Sequence, residues 1–288
     1  MNVRHRLISP RAIALAAVLM SMGAIAIGAH AALNTGTLDA NKDTAKVISV
    51  DPGANATAQP ARLALVIGNG HYPDADAALT QSINDARALT SALHRSGFEV
   101  EMVEDARKDD LIRAVGRLKS KITHDSVVML FFGGYAVQSG RESYMLPVDA
   151  VIWKERDVRS QGVSIESVLE MMKEQGARAK LVVVDASRRN PYERRFRSYS
   201  HGLAPINAPE NALVLSSNAP GKVVDDASGE HSVLVGELLK NLDAPGDHSA
   251  ESVFNKTRVA ISRAPDSDQV PTVSSSLSDD VQFGVSGG

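Results

Sequence analysis

Cysteine is absent from this sequence of 288 residues, and aromatic residues make up only 4% of it. The absence of cysteine excludes disulfide bonds, thiolate metal sites, a lipid-modified cysteine and a cysteine nucleophile. The formal net charge of −3 has no large excess of either sign, which does not favour nucleic acid or an anionic membrane as a partner. Because 43% of the residues are hydrophobic, we expect a packed core built mainly from aliphatic side chains.

The first 31 residues differ in composition from the rest of the chain. Residues 1–11 contain three arginines and no acid, an apolar run follows over 12–28, and Ala29-His30-Ala31 comes next. This pattern predicts a secretory signal peptide, hence a periplasmic or secreted protein. The alternative is an uncleaved anchor, for which the apolar run is short. Residues 32–60 are rich in small and polar residues and predict a flexible linker.

Residues 61–284 have the periodicity of a single folded domain. Apolar segments alternate with segments of helical spacing, which indicates an α/β fold whose parallel sheet is covered on both faces. The predicted strands are 62–68, 98–105, 126–134, 180–187, 211–219 and 269–274, and the predicted helices are 79–96, 111–122, 164–175, 232–242 and 250–263. Residues 142–150 predict a short strand or hairpin arm that stops at Pro147.

The carboxyl ends of parallel strands are where such folds form their sites. Three predicted strands end in polar or small residues, at 68–71, 133–135 and 185–187. The first of these, Gly68-Asn69-Gly70, lacks both glycine-rich phosphate-loop patterns, so we favour a tight turn. The eight histidines show no spacing typical of metal ligands, and we expect neither a metal nor a cofactor.

Ser187 is a candidate nucleophile at the end of a buried strand. A serine hydroxyl needs a neighbouring base, because it is a weak nucleophile at its ordinary pKa. Tyr135 lies at the end of another predicted strand, but a phenol with a pKa near ~10 is a poor base at neutral pH. His71 is the one histidine near a strand end that we retain as a candidate.

Four segments in a fixed order resemble the caspase-like peptidases, in particular the bacterial metacaspase (orthocaspase) type. The resemblance covers about 62–242 and continues more weakly to about 284. It implies a caspase-like α/β/α sandwich, with a p20-type part, a C-terminal p10-like part and a mostly parallel central sheet of about six strands. The segments are ARLALVIGNGHYPDADAALTQSINDARALTSALHRSGFEV, VMLFFGGYAVQSGRESYMLPVDA, KLVVVDASRRNPY and RSYSHGLAPINAPENALVLSSNAPGKVVDDASGEHSVLVGELL.

In that family a histidine and a cysteine form the catalytic dyad. The matching positions here hold Tyr135 and Ser187, 52 residues apart. This separation agrees with the roughly 50 residues expected between a caspase histidine and cysteine. Both catalytic positions are therefore substituted within an intact frame, and the resemblance implies a pseudopeptidase.

The resemblance also implies a receptor for a basic side chain. Metacaspase-type enzymes hold the arginine or lysine before the cleaved bond with acidic residues, which match Asp85 and Asp185. A carboxylate pair suits guanidinium, because arginine makes bidentate charge-assisted hydrogen bonds. The alternatives are structural: Asp85 would bond a neighbouring loop, and Asp185 would pair with an arginine of the basic loop 188–197.

Three functions remain open at this point. The first is a non-catalytic protein that binds peptides or proteins with exposed arginine or lysine. The second is a hydrolase in which Ser187 attacks, assisted by Tyr135 or His71. The third is a structural interaction module without a functional pocket. For each we expect a monomer without a stable membrane span after signal cleavage.

Overall fold

A computed structural model describes residues 60–73, 78–186, 188, 192, 202–223, 229–264 and 268–284. The predicted signal peptide, nearly all of the predicted linker and the candidate nucleophile Ser187 lie outside the described residues. None of the helices in this part of the chain is long and apolar enough to cross a membrane.

The described residues form nine strands and six helices. They alternate along the chain, as the apolar periodicity predicts. In chain order they are β1 (Arg62–Gly68), α1 (Thr80–Arg95), β2 (Glu99–Glu104), α2 (Lys108–Lys121), β3 (Val127–Gly133), β4 (Ala136–Ser139), β5 (Glu142–Met145), α3 (Glu155–Gln161), β6 (Val163–Ser164), α4 (Ile165–Glu174), β7 (Ala179–Asp185), β8 (Ala212–Ser216), α5 (Val233–Asp243), α6 (Ala250–Arg263) and β9 (Thr272–Ser275).

The central sheet has six strands in the order β2-β1-β3-β7-β8-β9. All neighbouring pairs are parallel except β8 and β9, which are antiparallel. Every residue of β3 and of β7 is buried, because both strands are central and covered on both faces. The predicted mostly parallel sheet of about six strands is confirmed.

Two layers of helices cover this sheet and complete an α/β/α sandwich. On one face, α2 and α4 pack against the side chains of Val128, Leu130 and Phe132. On the other face, α1, α5 and α6 pack against the alternating residues, such as Met129 and Phe131. The alternation of side chains along β3 therefore supplies both halves of the core.

A second, three-stranded antiparallel sheet follows the end of β3. Its order is β4-β5-β6, and β4 begins directly after Tyr135. The sequence did not predict β4, β6 or α3, and β5 ends at Met145, two residues before the stop predicted at Pro147. The reason is length: strands of two to four residues, and a seven-residue helix with one buried residue, carry too little periodicity to detect.

Gly68 tests how closely α1 packs against the end of β1. A Cβ atom at this position would lie 2.6 Å from the Ser82 carbonyl oxygen and 2.7 Å from the Ala86 Cβ. We expect Gly68→Ala to lower the free energy of unfolding by about 1–3 kcal/mol, because α1 must move away. Urea unfolding measures this change.

Gly116 provides the matched control for that substitution. It lies on the exposed face of α2, and a Cβ there would meet nothing within 4 Å. We expect Gly116→Ala to stabilise the protein by about 0.5–1 kcal/mol through helix propensity. Equal stability of the two variants would contradict the close packing at Gly68.

Candidate functional site

Three strand ends meet at the carboxyl edge of the central sheet. Gly68 of β1, Gly133 of β3 and Asp185 of β7 lie in register across the three neighbouring strands. The backbone N–H of Gly134 donates to the Asp185 carbonyl oxygen over 3.3 Å. The structure thus brings the Tyr135 position and the end of β7 to adjacent points of one edge.

Tyr135 is half-buried and held by its own backbone. Its N–H donates to the Tyr72 Oη over 3.1 Å, and its ring meets the Tyr72 ring edge-on, with centroids 4.8 Å apart. A Cβ on the preceding Gly134 would lie only 2.6 Å from the Tyr72 Oη, so this position requires glycine. The close approach of Tyr72 therefore fixes the backbone at the first dyad position.

The Leu146 carbonyl oxygen joins this strand end to the rest of the edge. It accepts hydrogen bonds from the Tyr72 Oη over 3.0 Å and from the Asn69 Nδ2 over 3.1 Å. The Leu146 N–H donates to the Tyr135 carbonyl oxygen over 3.0 Å. Burial raises the pKa of Tyr72 above its ordinary value, which keeps the hydroxyl protonated and able to donate. The turn after β1 and the segment after β5 are therefore one hydrogen-bonded frame.

Asp85 lies on α1 and is fully buried. Its Oδ1 contacts the His231 Nδ1 at 2.9 Å, and both of its oxygens accept from the Ser232 N–H at 3.2 Å. Burial and the nearby charge of Asp185 raise the pKa of Asp85 to about 6, against the lowering effect of the bonds from Ser232 and His231. The carboxylate anchors the start of α5, where the helix N-terminus favours negative charge.

Asp185 ends β7 and is only 2% exposed. Its Oδ2 lies 3.6 Å from the Nη2 of Arg188, whose side chain is 5% exposed. The same Nη2 donates to the Ser82 Oγ over 3.4 Å. Among the described residues, the Asp185 Oδ2 accepts no hydrogen bond. Asp85 and Asp185, hereafter the acidic pair, therefore have the partners that the two structural alternatives anticipated, a neighbouring loop and an arginine of the basic loop.

His71 does not join this group. Its Nδ1 lies 2.6 Å from the Oδ2 of Asp105, the residue that follows β2. In the sheet, β1 and β3 separate β2 from β7. The ring is therefore held toward the side of the edge that is remote from the end of β7.

His231 is the site residue that sequence reasoning missed. Its side chain is 27% exposed, and its Nδ1 contacts a carboxylate that lies 146 residues earlier in the chain. Its position next to Ser232, the N-cap of α5, was the available signal, because N-cap segments gather polar groups. No spacing rule links it to α1.

The polar side chains of this edge are acids, bases and hydroxyls. Two buried carboxylates face one guanidinium and one imidazole, and hydroxyl groups of Ser82, Tyr72 and Tyr135 lie on the same strand ends and helix. Within the described part of the chain, no three histidine or acidic side chains converge in a manner that would hold a metal ion.

Comparison with known proteins gives one match. The family model for the caspase domain (Peptidase C14) matches residues 61–282, most of the chain. A search of curated proteins finds no match to this sequence.

Replacement of Asp85 by asparagine tests the raised pKa. The folded pKa of about 6 exceeds the ordinary value of 3.8, so the folded state holds this proton more tightly than the unfolded chain. The contribution of Asp85 to stability is present below about pH 3.8 and is lost as the pH rises through about 6. Relative to Asp85→Asn, the wild type should lose up to about 3 kcal/mol across this range, measured by urea unfolding at each pH.

His231 contacts the Asp85 carboxylate directly, so this experiment requires a control for the imidazole. We therefore compare His231→Gln with the double variant Asp85→Asn/His231→Gln. Both variants lack the imidazole that contacts Asp85, and they differ only at position 85. A difference that persists in this background belongs to the carboxyl group. A difference that is independent of pH, or that rises with pH, would contradict the burial argument.

Proposed function

The chain belongs to the caspase-domain peptidase family, C14, and from this membership we propose that it is a non-catalytic member that binds a peptide or protein partner. The partner presents an arginine or lysine side chain, and the acidic pair is the part of the site that receives it. We further propose that residues 1–31 direct the protein out of the cytoplasm, to the periplasm or the medium.

The substitutions at the two dyad positions support the loss of catalysis. The family mechanism needs an imidazole and a thiolate that attacks the scissile carbonyl group. The matching positions hold Tyr135 and Ser187, and the chain has no cysteine that could replace the nucleophile. The hydrogen bond between Tyr72 and position 135 does not need an imidazole, because it uses the backbone N–H.

The acidic pair is the observation that carries the binding proposal. Asp85 and Asp185 are buried close enough for the charge of one to raise the pKa of the other. The guanidinium of Arg188 lies against Asp185 in this environment, so the site accommodates the chemical group that the partner would present. Arginine is suited to such sites because it is planar, permanently charged and weakly hydrated.

Peptide turnover and peptide binding test the two halves of this proposal. We expect purified protein to release no more fluorophore from peptides ending in arginine or lysine than Ser187→Ala does. We also expect calorimetry to show tighter binding of N-acetyl-arginine amide than of N-acetyl-citrulline amide, which is nearly isosteric but neutral. Asp185→Asn should remove this preference, because the charge that selects guanidinium is lost.

Two outcomes would overturn the proposal. Turnover that Ser187→Ala abolishes would identify an enzyme. Binding of protein partners that is indifferent to Asp85→Asn and Asp185→Asn in folded protein would favour an interaction module in which the acidic pair only stabilises the fold.

A serine hydrolase is the second candidate, and one observation favours it. The imidazole of His231 is oriented through Nδ1 by the buried Asp85, which is the manner in which a carboxylate orients a general base. In the sequence Ser187 comes two residues after Asp185, the other member of the acidic pair. In this candidate His231, and neither Tyr135 nor His71, supplies the missing base.

Labelling with a fluorophosphonate probe tests this candidate directly. A serine nucleophile would be labelled in the wild type and not in Ser187→Ala. The labelling rate would fall by about 10²–10⁴ in His231→Gln, because general-base assistance is lost. Under the leading proposal folded wild type is not labelled, and such a result would remove the hydrolase candidate.

A further inference from the structure

Arg188 occupies the position that a bound basic side chain would take. Its side chain is 5% exposed and lies between Asp185 at the end of β7 and Ser82 on α1. We propose that Arg188 is an internal occupant of the acidic pair, and that an arginine of a partner binds by displacing it. The inference rests on the proposed function and specifies how the same site is regulated.

Burial shows that some residue must move before a ligand can reach the acidic pair. Asp85 is 0% exposed and Asp185 is 2% exposed. Asp85 is bonded by His231 and by the N-cap of α5, and that helix packs against α1 and α6. Arg188 lies outside the named helices and strands, in a single β-bridge, so its displacement would break that bridge and leave the helices and the central sheet in place.

The contact between Arg188 and Asp185 leaves the Oδ2 of Asp185 without a hydrogen bond from the described residues. The separation of 3.6 Å between this oxygen and the Arg188 Nη2 exceeds a hydrogen bond. The bond to Ser82, at 3.4 Å, lies at the long limit for a hydrogen bond. A guanidinium that approached Asp185 in bidentate geometry would make shorter charge-assisted bonds and could therefore compete with Arg188.

Displacement of Arg188 has a consequence for the second dyad position. Arg188 follows Ser187 directly in sequence, so its displacement would change the backbone next to that position. Tyr192 is 1% exposed and packs in the same apolar cluster as Tyr72 and Leu146. Arg188 and Tyr192 are thus two buried side chains beyond β7, and ligand entry would release the first of them.

Substitution of Arg188 tests the inference with the same pair of probes. We expect Arg188→Ala to bind N-acetyl-arginine amide at least about 10-fold more tightly than the wild type does, because no internal cation has to leave. Affinity for N-acetyl-citrulline amide should not change. The gain should disappear in Arg188→Ala/Asp185→Asn.

Arg87→Ala is the matched control for the change in charge. Arg87 lies two residues from Asp85 on the same helix, but it is exposed and pairs with Glu104. Its removal lowers the net charge by the same amount without opening the acidic pair. A gain in affinity for the arginine probe equal to that of Arg188→Ala would assign the effect to net charge and overturn the inference.

The remaining outcomes separate this inference from the proposed function. One outcome is that wild type and Arg188→Ala bind the arginine probe equally, while Asp185→Asn still removes the preference for it. In that case Arg188 does not occupy the acidic pair, but the proposed binding of a basic side chain is retained. If no folded variant prefers the arginine probe, the proposed function fails, and the inference fails with it.

A second variant and a second measurement apply if Arg188→Ala does not fold. Arg188→Gln keeps the length of the side chain and one donor toward Ser82, and it should show the same gain in affinity. In the wild type, a saturating concentration of N-acetyl-arginine amide should speed amide hydrogen exchange in the peptide that spans 186–192. Unchanged exchange in saturated protein would overturn displacement.

Discussion

The burial of two carboxylates side by side is the constraint on which the functional edge of this protein depends. A buried charge is costly unless it is paired, and two like charges raise each other's cost. Asp85 meets this requirement with His231 and the N–H of Ser232, the N-cap of α5, and Asp185 meets it with Arg188. These contacts tie α1, β7, α5 and the chain beyond β7 to one point. Loss of a single partner would leave an uncompensated buried charge, which is far more damaging than loss of a surface ion pair.

A second set of contacts preserves the shape of the edge without any contribution from catalytic groups. Asn69 and Tyr72 donate to the Leu146 carbonyl oxygen, and Tyr72 also receives the backbone N–H of Tyr135. The hydrogen bond from position 135 to Tyr72 uses the backbone N–H, and the two rings also meet edge-on. A backbone N–H is available in every residue except proline, so this hydrogen bond does not depend on the side chain at position 135. The caspase fold can therefore keep this bond whichever side chain the position carries.

The layers of the fold could be predicted from the sequence, but the side chains that pair with each other at the site could not. β3 and β7 were evident because each is apolar along its whole length, as expected of strands buried on both faces. The short strands β4 and β6 were not, since two to four residues show no reliable period. The acids at 85 and 185 were identified through the family resemblance. The sequence could not decide whether they bind a basic ligand or an arginine of the same chain, because both need the same carboxylates. Only the fold brings His231 across 146 residues to Asp85, and only the fold places Arg188 against Asp185.

An acidic pair filled by the chain's own arginine has different consequences for an enzyme and for a binding protein. In an enzyme, a closed receptor competes with every substrate and lowers turnover. In a binding protein it sets a threshold, because the apparent affinity falls with the fraction of molecules in which Arg188 has left. If about 1% of molecules are open, affinity is about 100-fold weaker than that of the open site, a loss of about 2.7 kcal/mol. A lone arginine side chain would then bind poorly, and a useful partner must supply further contacts along the carboxyl edge. Self-occupancy by Arg188 would therefore select a folded or extended partner over free basic side chains.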